Sequence, residues 1–292
     1  MPVQRGSRRS FLSVRSLGIA LVSASLLVFV LLKMYTLMHA HNDNAYGISL
    51  SSAAALRSMK RRPRIVAFGD SLTERGTEEP FGWVNRLSAA YARKADVINR
   101  GYNGYNTKWA IKYCLDDVIS LEPDMVIVFF GANDAVFESV PQFVSINEYK
   151  SNLVSIIGAI RSALGTKTYI LLISPPQIDI EMLREYNTIK KKALLIDRSN
   201  ERTSLYARAC MDVAAFMQTK DPASGHRVAA ADAFASLNDK RFLVDGLHLS
   251  EQGHSELYTL LDVVIQQRLP GMSAGQLSIA GTIWGDIVQG AA

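Results

Sequence analysis

Five segments of the chain are candidates for β-strands, and the central ones are continuous apolar runs. The most continuous run is Met125-Val126-Ile127-Val128-Phe129-Phe130. Unbroken apolar runs are typical of strands covered on both faces, as in a parallel sheet. The pattern predicts strands at Arg64–Gly69, Asp96–Arg100, Asp124–Gly131, Lys167–Ser174 and Arg227–Phe234.

Helical patterns separate the predicted strands. They cover Gly82–Lys94, Thr107–Leu121, Ile146–Leu164, Leu183–Thr219 and Ser250–Leu269. The alternation of strand and helix predicts a three-layer α/β/α fold with a parallel sheet and right-handed crossovers. The carboxyl ends of parallel strands meet at one edge of the sheet, so we expect the reactive groups to cluster there.

The N-terminal part of the chain has a different pattern. Residues 17–38 are almost wholly apolar apart from Lys33, and four arginines precede them. About 20 apolar residues span a bilayer, and flanking basic residues favour the cytoplasmic side. We therefore expect a basic segment at 1–16, a transmembrane signal anchor at 17–38 and a stalk at 39–62, with the folded domain lumenal or extracellular. The alternatives are a cleaved signal peptide, which would give a secreted protein, and a mitochondrial presequence.

A single folded domain is predicted over residues 63–270, followed by a tail of low charge at 271–292. The chain has 32 Lys and Arg against 27 Asp and Glu, and residues 1–33 contain five of the basic residues and no acidic one. The remaining 27 basic and 27 acidic residues balance, so the folded domain has no electrostatic signature of nucleic-acid binding. The only two cysteines, Cys114 and Cys210, exclude a disulfide framework, and no Cys/His spacing indicates a zinc site.

Candidate chemistry begins directly after the first predicted strand. In Gly69-Asp70-Ser71-Leu72, the strand gives way to a helix at a serine, which places a hydroxyl at the edge of the sheet. A serine hydroxyl is a weak nucleophile and needs a base within hydrogen-bond distance, oriented by a third group. Near the C-terminus, His248 follows Asp245 by three positions. We expect His248 to be the base for Ser71 and Asp245 to orient its imidazole.

Nucleophilic attack on an ester also requires donors for the negative charge that develops on the carbonyl oxygen. Three groups at predicted strand ends are candidates: the backbone N–H of Ser71, the backbone N–H of Gly104 and the side-chain amide of Asn133. Asp70 and Asp134 are expected to brace these loops through hydrogen bonds to the backbone rather than to react.

These residues resemble four sequence blocks of the GDSL, or SGNH, hydrolases. The blocks are Gly69-Asp70-Ser71-Leu72, the loop around Gly104, Gly131-Ala132-Asn133-Asp134 and Asp245-Gly246-Leu247-His248. Further similarity to the isoamyl acetate-hydrolysing esterases of that superfamily lies in Phe81–Val84, Arg100–Trp109 and Ile173–Pro176. The resemblance spans Arg64 to Leu269 and implies a flavodoxin-like fold, a serine acyl-enzyme, no metal or cofactor, and small or lipid-like ester substrates. Leu183–Thr219 lies outside the matching blocks, and we expect it to shape the acyl and alcohol pockets.

The leading hypothesis is a membrane-anchored serine esterase for short-chain or acetyl esters. Its catalytic residues would be Ser71, His248 and Asp245, and its oxyanion hole would be Ser71, Gly104 and Asn133. A lysophospholipase or lipase-like enzyme, favoured by a nearby membrane, and a sugar O-acetylesterase are alternatives within the hydrolases. A catalytically idle, membrane-anchored binding module is the alternative from a different class of protein.

Overall fold

The structure, a computed structural model, describes residues 33–34, 61–78, 80–191 and 196–281. Contacts divide the chain into two units, Met1–Arg61 and Arg62–Ala292. The predicted segments at 1–16, 17–38 and 39–62 lie outside the described residues apart from 33–34 and 61–62, as does the tail after 281. Within the described ranges, no helix combines the length and the apolar character that a membrane span requires. The anchor at 17–38 therefore stays a prediction.

Five parallel strands form the centre of the second unit, in the order β2-β1-β3-β4-β5. This order is that of flavodoxin-like folds, in which ligands bind where the strand order reverses, between β1 and β3. The predicted parallel α/β fold is confirmed. The strands are β1 Arg64–Gly69, β2 Asp96–Gly101, β3 Met125–Phe129, β4 Tyr169–Ile173 and β5 Val228–Ala231.

Helices cover both faces of the sheet. Along β1, Ile65 and Ala67 belong to one buried hydrophobic cluster, whereas Val66 and Phe68 belong to a second cluster on the opposite face. This alternation produces three layers, because successive strand side chains point to opposite faces. The helices of the domain are α1 Ser71–Glu74, α2 Trp83–Ala90, α3 Thr107–Tyr113, α4 Leu115–Ser120, α5 Ile146–Leu164, α6 Ile180–Tyr186, α7 Asn200–Lys220, α8 Pro222–Gly225, α9 Ala233–Ser236 and α10 Glu251–Arg268.

The prediction of one helix over Leu183–Thr219 is wrong. Helix α6 ends at Tyr186, a π-helical turn follows at Asn187–Lys191, and α7 begins only at Asn200. Ser199 is the N-cap of α7, and its hydroxyl accepts a hydrogen bond from the Arg202 N–H at 3.3 Å. A side-chain cap of this kind satisfies an N–H group that has no partner within the helix, so it starts a new helix inside an apparently continuous pattern.

The predicted helix Thr107–Leu121 is also divided, at Cys114 between α3 and α4. Cys114 has φ −131° and ψ −19°, outside helical values. Cys114, Leu115 and Val118 are all buried in the same hydrophobic cluster. Because both helices bury the same apolar face, the hydrophobic periodicity continues across the break and does not reveal it.

Candidate active site

Ser71 is the first residue of α1 and lies two residues beyond Gly69, the buried end of β1. Asp70 forms the connection and is the N-cap of α1, since its carboxylate accepts a hydrogen bond from the Leu72 N–H at 2.9 Å. A Cβ atom on Gly69 would lie 2.1 Å from the hydroxyl oxygen of Thr73 and 2.5 Å from the carbonyl oxygen of Phe129. The turn that presents Ser71 therefore requires a glycine before Asp70.

The register of the sheet brings the candidate loops side by side. The last residue of β1 pairs with the last residue of β2 and with the last residue of β3. The loops that carry Ser71, Gly104 and Asn133 consequently leave the sheet at the same level and at the same edge. This edge includes the position between β1 and β3 at which flavodoxin-like folds bind their ligands.

The three predicted triad residues form a continuous chain of hydrogen bonds. Nε2 of His248 lies 3.0 Å from Oγ of Ser71, and Nδ1 of His248 lies 2.7 Å from Oδ2 of Asp245. With a proton on Nδ1 donated to Asp245, Nε2 is free to accept the Ser71 proton. The arrangement has the distances required of a nucleophile, a general base and an orienting carboxylate.

Asp245 is buried and held by its neighbours as well as by the imidazole. Its Oδ1 atom accepts hydrogen bonds from the backbone N–H groups of Leu247 at 3.0 Å and His248 at 2.8 Å. Burial raises the pKa of Asp245, but the hydrogen bonds and charge of His248 and the Leu247 N–H outweigh it and bring this pKa down to about 2. The carboxylate is therefore charged near neutral pH and can stabilise an imidazolium.

The loop that carries Asp245 and His248 docks on the start of α6 through Gly246. Gly246 has a left-handed φ of +86°, and a Cβ atom there would lie 2.3 Å from the carbonyl oxygen of Asp179. The Gly246 carbonyl accepts a hydrogen bond from the Asp179 N–H at 2.9 Å, and the Val244 N–H donates to the His248 carbonyl at 2.9 Å. These contacts fix the position of the His248 loop, and therefore of its imidazole, relative to α6.

Gly104 and Asn133 are connected across their loops. Nδ2 of Asn133 donates a hydrogen bond to the carbonyl oxygen of Tyr105, the neighbour of Gly104, at 2.9 Å. An amide nitrogen carries two hydrogens, so one N–H of Asn133 remains for a further acceptor. Gly104 has a left-handed φ of +77°, and among the described residues other than its chain neighbours no atom lies within 4 Å of the position of a Cβ there. The conformation favours glycine, and the open space leaves room for another molecule beside this loop.

Two side chains that were not predicted as functional support the Gly104 loop. Asn99, near the end of β2, accepts a hydrogen bond from the Gly101 N–H at 2.8 Å and donates one to the Thr73 carbonyl at 2.8 Å. Glu74 of α1 accepts a hydrogen bond from the Asn103 N–H at 2.8 Å. Hydrogen bonds of Asn99 and Glu74 thus connect the Gly104 loop to α1, the helix that begins with Ser71. Asn99, which directly follows the apolar pair Val97-Ile98 near the end of β2, is the sequence signal that could have identified this support.

Asp70 and Asp134 lie fully buried behind the site and make the backbone contacts expected of them. Asp134 accepts hydrogen bonds from the N–H of Thr107 at 3.0 Å and from its hydroxyl at 2.5 Å. Burial raises the pKa of Asp134 to about 7, although the bonds from Thr107 oppose this. Burial likewise raises the pKa of Asp70 to about 7. The hydrogen bond from the Leu72 N–H and the positive charge of Arg198 oppose this increase, whereas the negative charge of Asp134 adds to it.

A cavity lies on the outer side of Asp245. Its volume is about 260 Å³, and it is lined by residues of α6, of the π-helical turn and of the loop that carries Asp245. The role of Leu183–Thr219 in shaping the acyl and alcohol pockets stays a prediction. The lining residues are Met182, Glu185, Tyr186, Ile189, Lys190, Val244 and Asp245.

The described part of the chain contains no cluster of His, Cys, Asp and Glu side chains arranged to hold a metal ion. Cys114 and Cys210 are buried, free thiols. Burial raises the pKa of Cys210 to about 12, so its thiol remains protonated and does not supply a nucleophile at neutral pH.

Comparison with known proteins places this site in a family. Residues 67–255 match the GDSL-like Lipase/Acylhydrolase family. The isoamyl acetate-hydrolyzing esterase 1 homolog of Mus musculus is 34% identical over 232 residues, which cover 77% of this chain and 90% of the relative. A GDSL esterase/lipase of Arabidopsis thaliana is 35% identical over 233 residues, which cover 75% of this chain and 91% of the relative.

A solved structure gives the same assignment. The lipase/acylhydrolase from Enterococcus faecalis superimposes with a TM-score of 0.55 and 26% identity, covering 75% of this chain and all of the other. Fold, serine turn and relatives together define the class of the protein, a carboxylic ester hydrolase. Within that class the chain belongs to the GDSL-like lipase/acylhydrolase family, and its resemblance to the isoamyl acetate-hydrolysing esterases is confirmed.

Proposed function

We propose that the protein hydrolyses short-chain carboxylic esters through a triad of Ser71, His248 and Asp245. The observation that carries the proposal is the chain of hydrogen bonds from Ser71 Oγ through the imidazole to Asp245, at 3.0 and 2.7 Å. A serine paired with a correctly oriented base is the minimum required for acyl transfer.

In the first half of the reaction, Oγ of Ser71 forms a bond to the ester carbonyl carbon while its proton passes to Nε2 of His248. Asp245 stabilises the resulting imidazolium, because its low pKa keeps the carboxylate charged. The negative oxygen of the tetrahedral intermediate accepts hydrogen bonds from the N–H groups of Ser71 and Gly104 and from the amide of Asn133. Collapse of this intermediate breaks the bond to the alcohol oxygen, which takes the proton from His248.

In the second half, water attacks the acyl group on Ser71. His248 takes a proton from this water and then returns one to Oγ as the bond to the serine breaks. The products are the carboxylic acid and the regenerated enzyme. The same three donors stabilise both tetrahedral intermediates, since the carbonyl oxygen occupies one position throughout.

A small ester is favoured by the names of the relatives, several of which are called isoamyl acetate-hydrolyzing esterase homologues. The cavity beside Asp245, at about 260 Å³, is also small compared with the volume of a lipid chain pair. We assign this cavity to one of the two substituents of the ester, the acyl group or the alcohol. A lipid-directed activity is the second candidate, because the apolar segment at 17–38 would keep the domain close to a bilayer.

Chain-length preference tests the proposal. The full-length protein in mild detergent would be assayed on p-nitrophenyl esters from acetate to palmitate, beside Ser71→Ala and a control, Ser151→Ala, at an exposed position on α5. We expect activity that peaks at short acyl chains and is lost only in Ser71→Ala. A peak at long chains would replace the small ester by a lipid, since each buried CH₂ contributes about 0.8 kcal/mol. Activity that survives in Ser71→Ala would contradict the serine mechanism.

We also propose that residues 17–38 anchor the protein, with the catalytic domain on the lumenal or extracellular side. The support is the length of the apolar stretch and the arginines that precede it. Extraction of cell membranes at alkaline pH tests this proposal: an anchored chain stays in the membrane pellet at its full length. A shortened chain in the supernatant would indicate a cleaved leader.

A further inference from the structure

A short segment at the start of α7, Asp197–Asn200, contacts the loop that carries Asn133 from behind. The Phe137 N–H donates a hydrogen bond to the Asp197 carbonyl at 2.7 Å. One residue further, Nη1 of Arg198 donates to the carbonyl oxygen of Ala132 at 3.2 Å. The segment therefore holds the Asn133 loop at two points, one on each side of Asn133.

Arg198 is a buried arginine whose direction is set by a second contact. It is only 8% exposed. Its Nε and Nη2 atoms donate to the two carboxylate oxygens of Asp197 at 2.7 and 3.2 Å. A buried guanidinium is costly unless it is paired, and a two-point contact with a carboxylate fixes the plane of the group. The remaining Nη1 is thereby aimed at the Ala132 carbonyl.

A contact with the Ala132 carbonyl bears directly on the orientation of Asn133. It belongs to the same planar peptide group as the N–H of Asn133, so a contact with one end of the plane constrains the other. The orientation of that plane sets the direction in which the Asn133 side chain leaves the backbone. At the far end of the side chain, Nδ2 has a single protein contact, the Tyr105 carbonyl at 2.9 Å, among the described residues.

The segment is itself attached to the loop that follows β4, so it can serve as a fixed support. The side chain of Asn200 accepts from the Ile178 N–H at 2.9 Å and donates to the Ile178 carbonyl at 2.8 Å. Ile178 follows β4, and the next residue, Asp179, contacts the loop of His248 through Gly246. Neither attachment involves the guanidinium of Arg198.

We propose that Arg198 is a positioning residue for ester hydrolysis, which holds the Ala132–Asn133 peptide so that the Asn133 amide faces the developing oxyanion. The inference rests on the proposed function of Asn133 as an oxyanion donor. Arg198 does not itself touch the reacting atoms. Its contribution is preorganisation, because a donor that has to reorient during the reaction stabilises the transition state less.

Replacement of Arg198 by methionine tests the inference, since it removes the donors and keeps much of the apolar stem. We expect kcat on p-nitrophenyl acetate to fall by about 10- to 100-fold, less than the 10²–10³-fold typical of removing an oxyanion donor. We expect KM to change by less than about threefold, because the misplaced donor acts in the transition state. Arg198→Lys retains the positive charge and a donor nitrogen but cannot make the planar two-point contact, so its kcat should lie between that of Arg198→Met and the wild type.

The matched control is Arg202→Met, on the next turn of α7. Arg202 lies over the ring of Phe143 at 4.8 Å and 3.8 Å from the carboxylate of Glu138, and its contacts among the described residues do not include a hydrogen bond to Ala132. We expect this variant to retain wild-type kcat. Thermal unfolding of both variants separates a loss of folded protein from a loss of positioning, and Arg198→Lys provides the comparison if Arg198→Met does not fold.

A double-mutant cycle gives the decisive readout. Where Asn133 is already alanine, Arg198→Met should cause no further loss of kcat, because the group that it positions is absent. Three results would each overturn the inference. They are an equal loss of kcat in both backgrounds, a wild-type kcat in folded Arg198→Met, and the same loss of kcat in Arg202→Met.

The proposed function is judged separately. Loss of activity in Ser71→Ala supports it, whatever the effect of Arg198. Unchanged kcat in Asn133→Ala would overturn both the oxyanion role of Asn133 and the inference.

Discussion

The imidazole Nε2 of His248 lies 3.0 Å from the hydroxyl oxygen of Ser71, although the two residues are 177 positions apart in the chain. The contact joins the loop after β1 to the loop that precedes α10. Because each side chain is held by its own loop, the pair is formed before any substrate binds. Its consequences for the reaction can be tested by substitution.

Ser71→Ala and His248→Ala should each remove nearly all ester hydrolysis, and the double variant should be hardly less active than either. The reason is that the two groups act as one unit, so the second substitution removes nothing further. Steady-state kinetics of the three variants on p-nitrophenyl acetate measure this. Losses that multiply in the double variant would show that the residues act independently.

Asp245→Asn should reduce kcat by about 10³-fold or more while the fold is kept, because the amide cannot stabilise an imidazolium and can favour the wrong tautomer. Kinetics at neutral pH and thermal unfolding measure the two effects. A variant with wild-type kcat would remove Asp245 from the mechanism.

The same residue has a defined effect on stability. The pKa of Asp245 in the folded protein is about 2, below its unfolded value of about 3.9. Its stabilising contribution is therefore complete above about pH 4 and is lost as the pH falls through about 2. We expect the difference in unfolding free energy between wild type and Asp245→Asn to shrink over that interval; a constant difference would contradict the low pKa.

The buried carboxyl group of Asp134 should have the opposite dependence on pH. Burial raises its pKa to about 7 in the fold, so the protonated form is favoured there. The associated stability is complete below about pH 4 and is lost as the pH rises through about 7. Asp134→Asn, which stays neutral, should lose less unfolding free energy than wild type between about pH 4 and about pH 7. Urea unfolding measures this, with exposed Asp116→Asn as the control; parallel curves for wild type and Asp134→Asn would count against a raised pKa.

Gly246→Ala should lower both stability and kcat. The left-handed φ of +86° costs an alanine about 1–2 kcal/mol, and the added Cβ would lie 2.3 Å from the Asp179 carbonyl oxygen. Relief of that overlap has to move the loop, and His248 moves with it. Gly158→Ala is the matched control within α5, since beyond its own turn of helix no atom of the described residues lies within 4 Å of its Cβ position. That variant should gain about 0.5–1 kcal/mol with unchanged kcat; equal effects of the two substitutions would show that the loop tolerates a side chain.

Much of the fold was predictable because it depends on local burial. Four of the five strands are largely buried, and their apolar runs report this directly, whereas the edge strand β2 is only partly buried. Ile146–Leu164 was predicted to the residue, since Ser145 caps its start and Gly165, with φ +86°, ends it. Hydrophobic periodicity failed where a helix is interrupted without a change of face, at Cys114, and where Ser199 caps a new helix within the predicted one.

By itself, the sequence determined the parallel α/β class, the order of the four blocks and the choice of Ser71, Gly104, Asn133, Asp245 and His248 as candidates. Each of these follows from residue types and spacing along the chain. Three properties depend on the tertiary structure: the distances among Ser71, His248 and Asp245, the burial that raises the pKa values of Asp70 and Asp134, and the contact of Arg198 with the Asn133 loop. The physical reason is that these properties depend on which distant backbone carbonyls and carboxylates face one another after the loops pack, and no local pattern of residues records that.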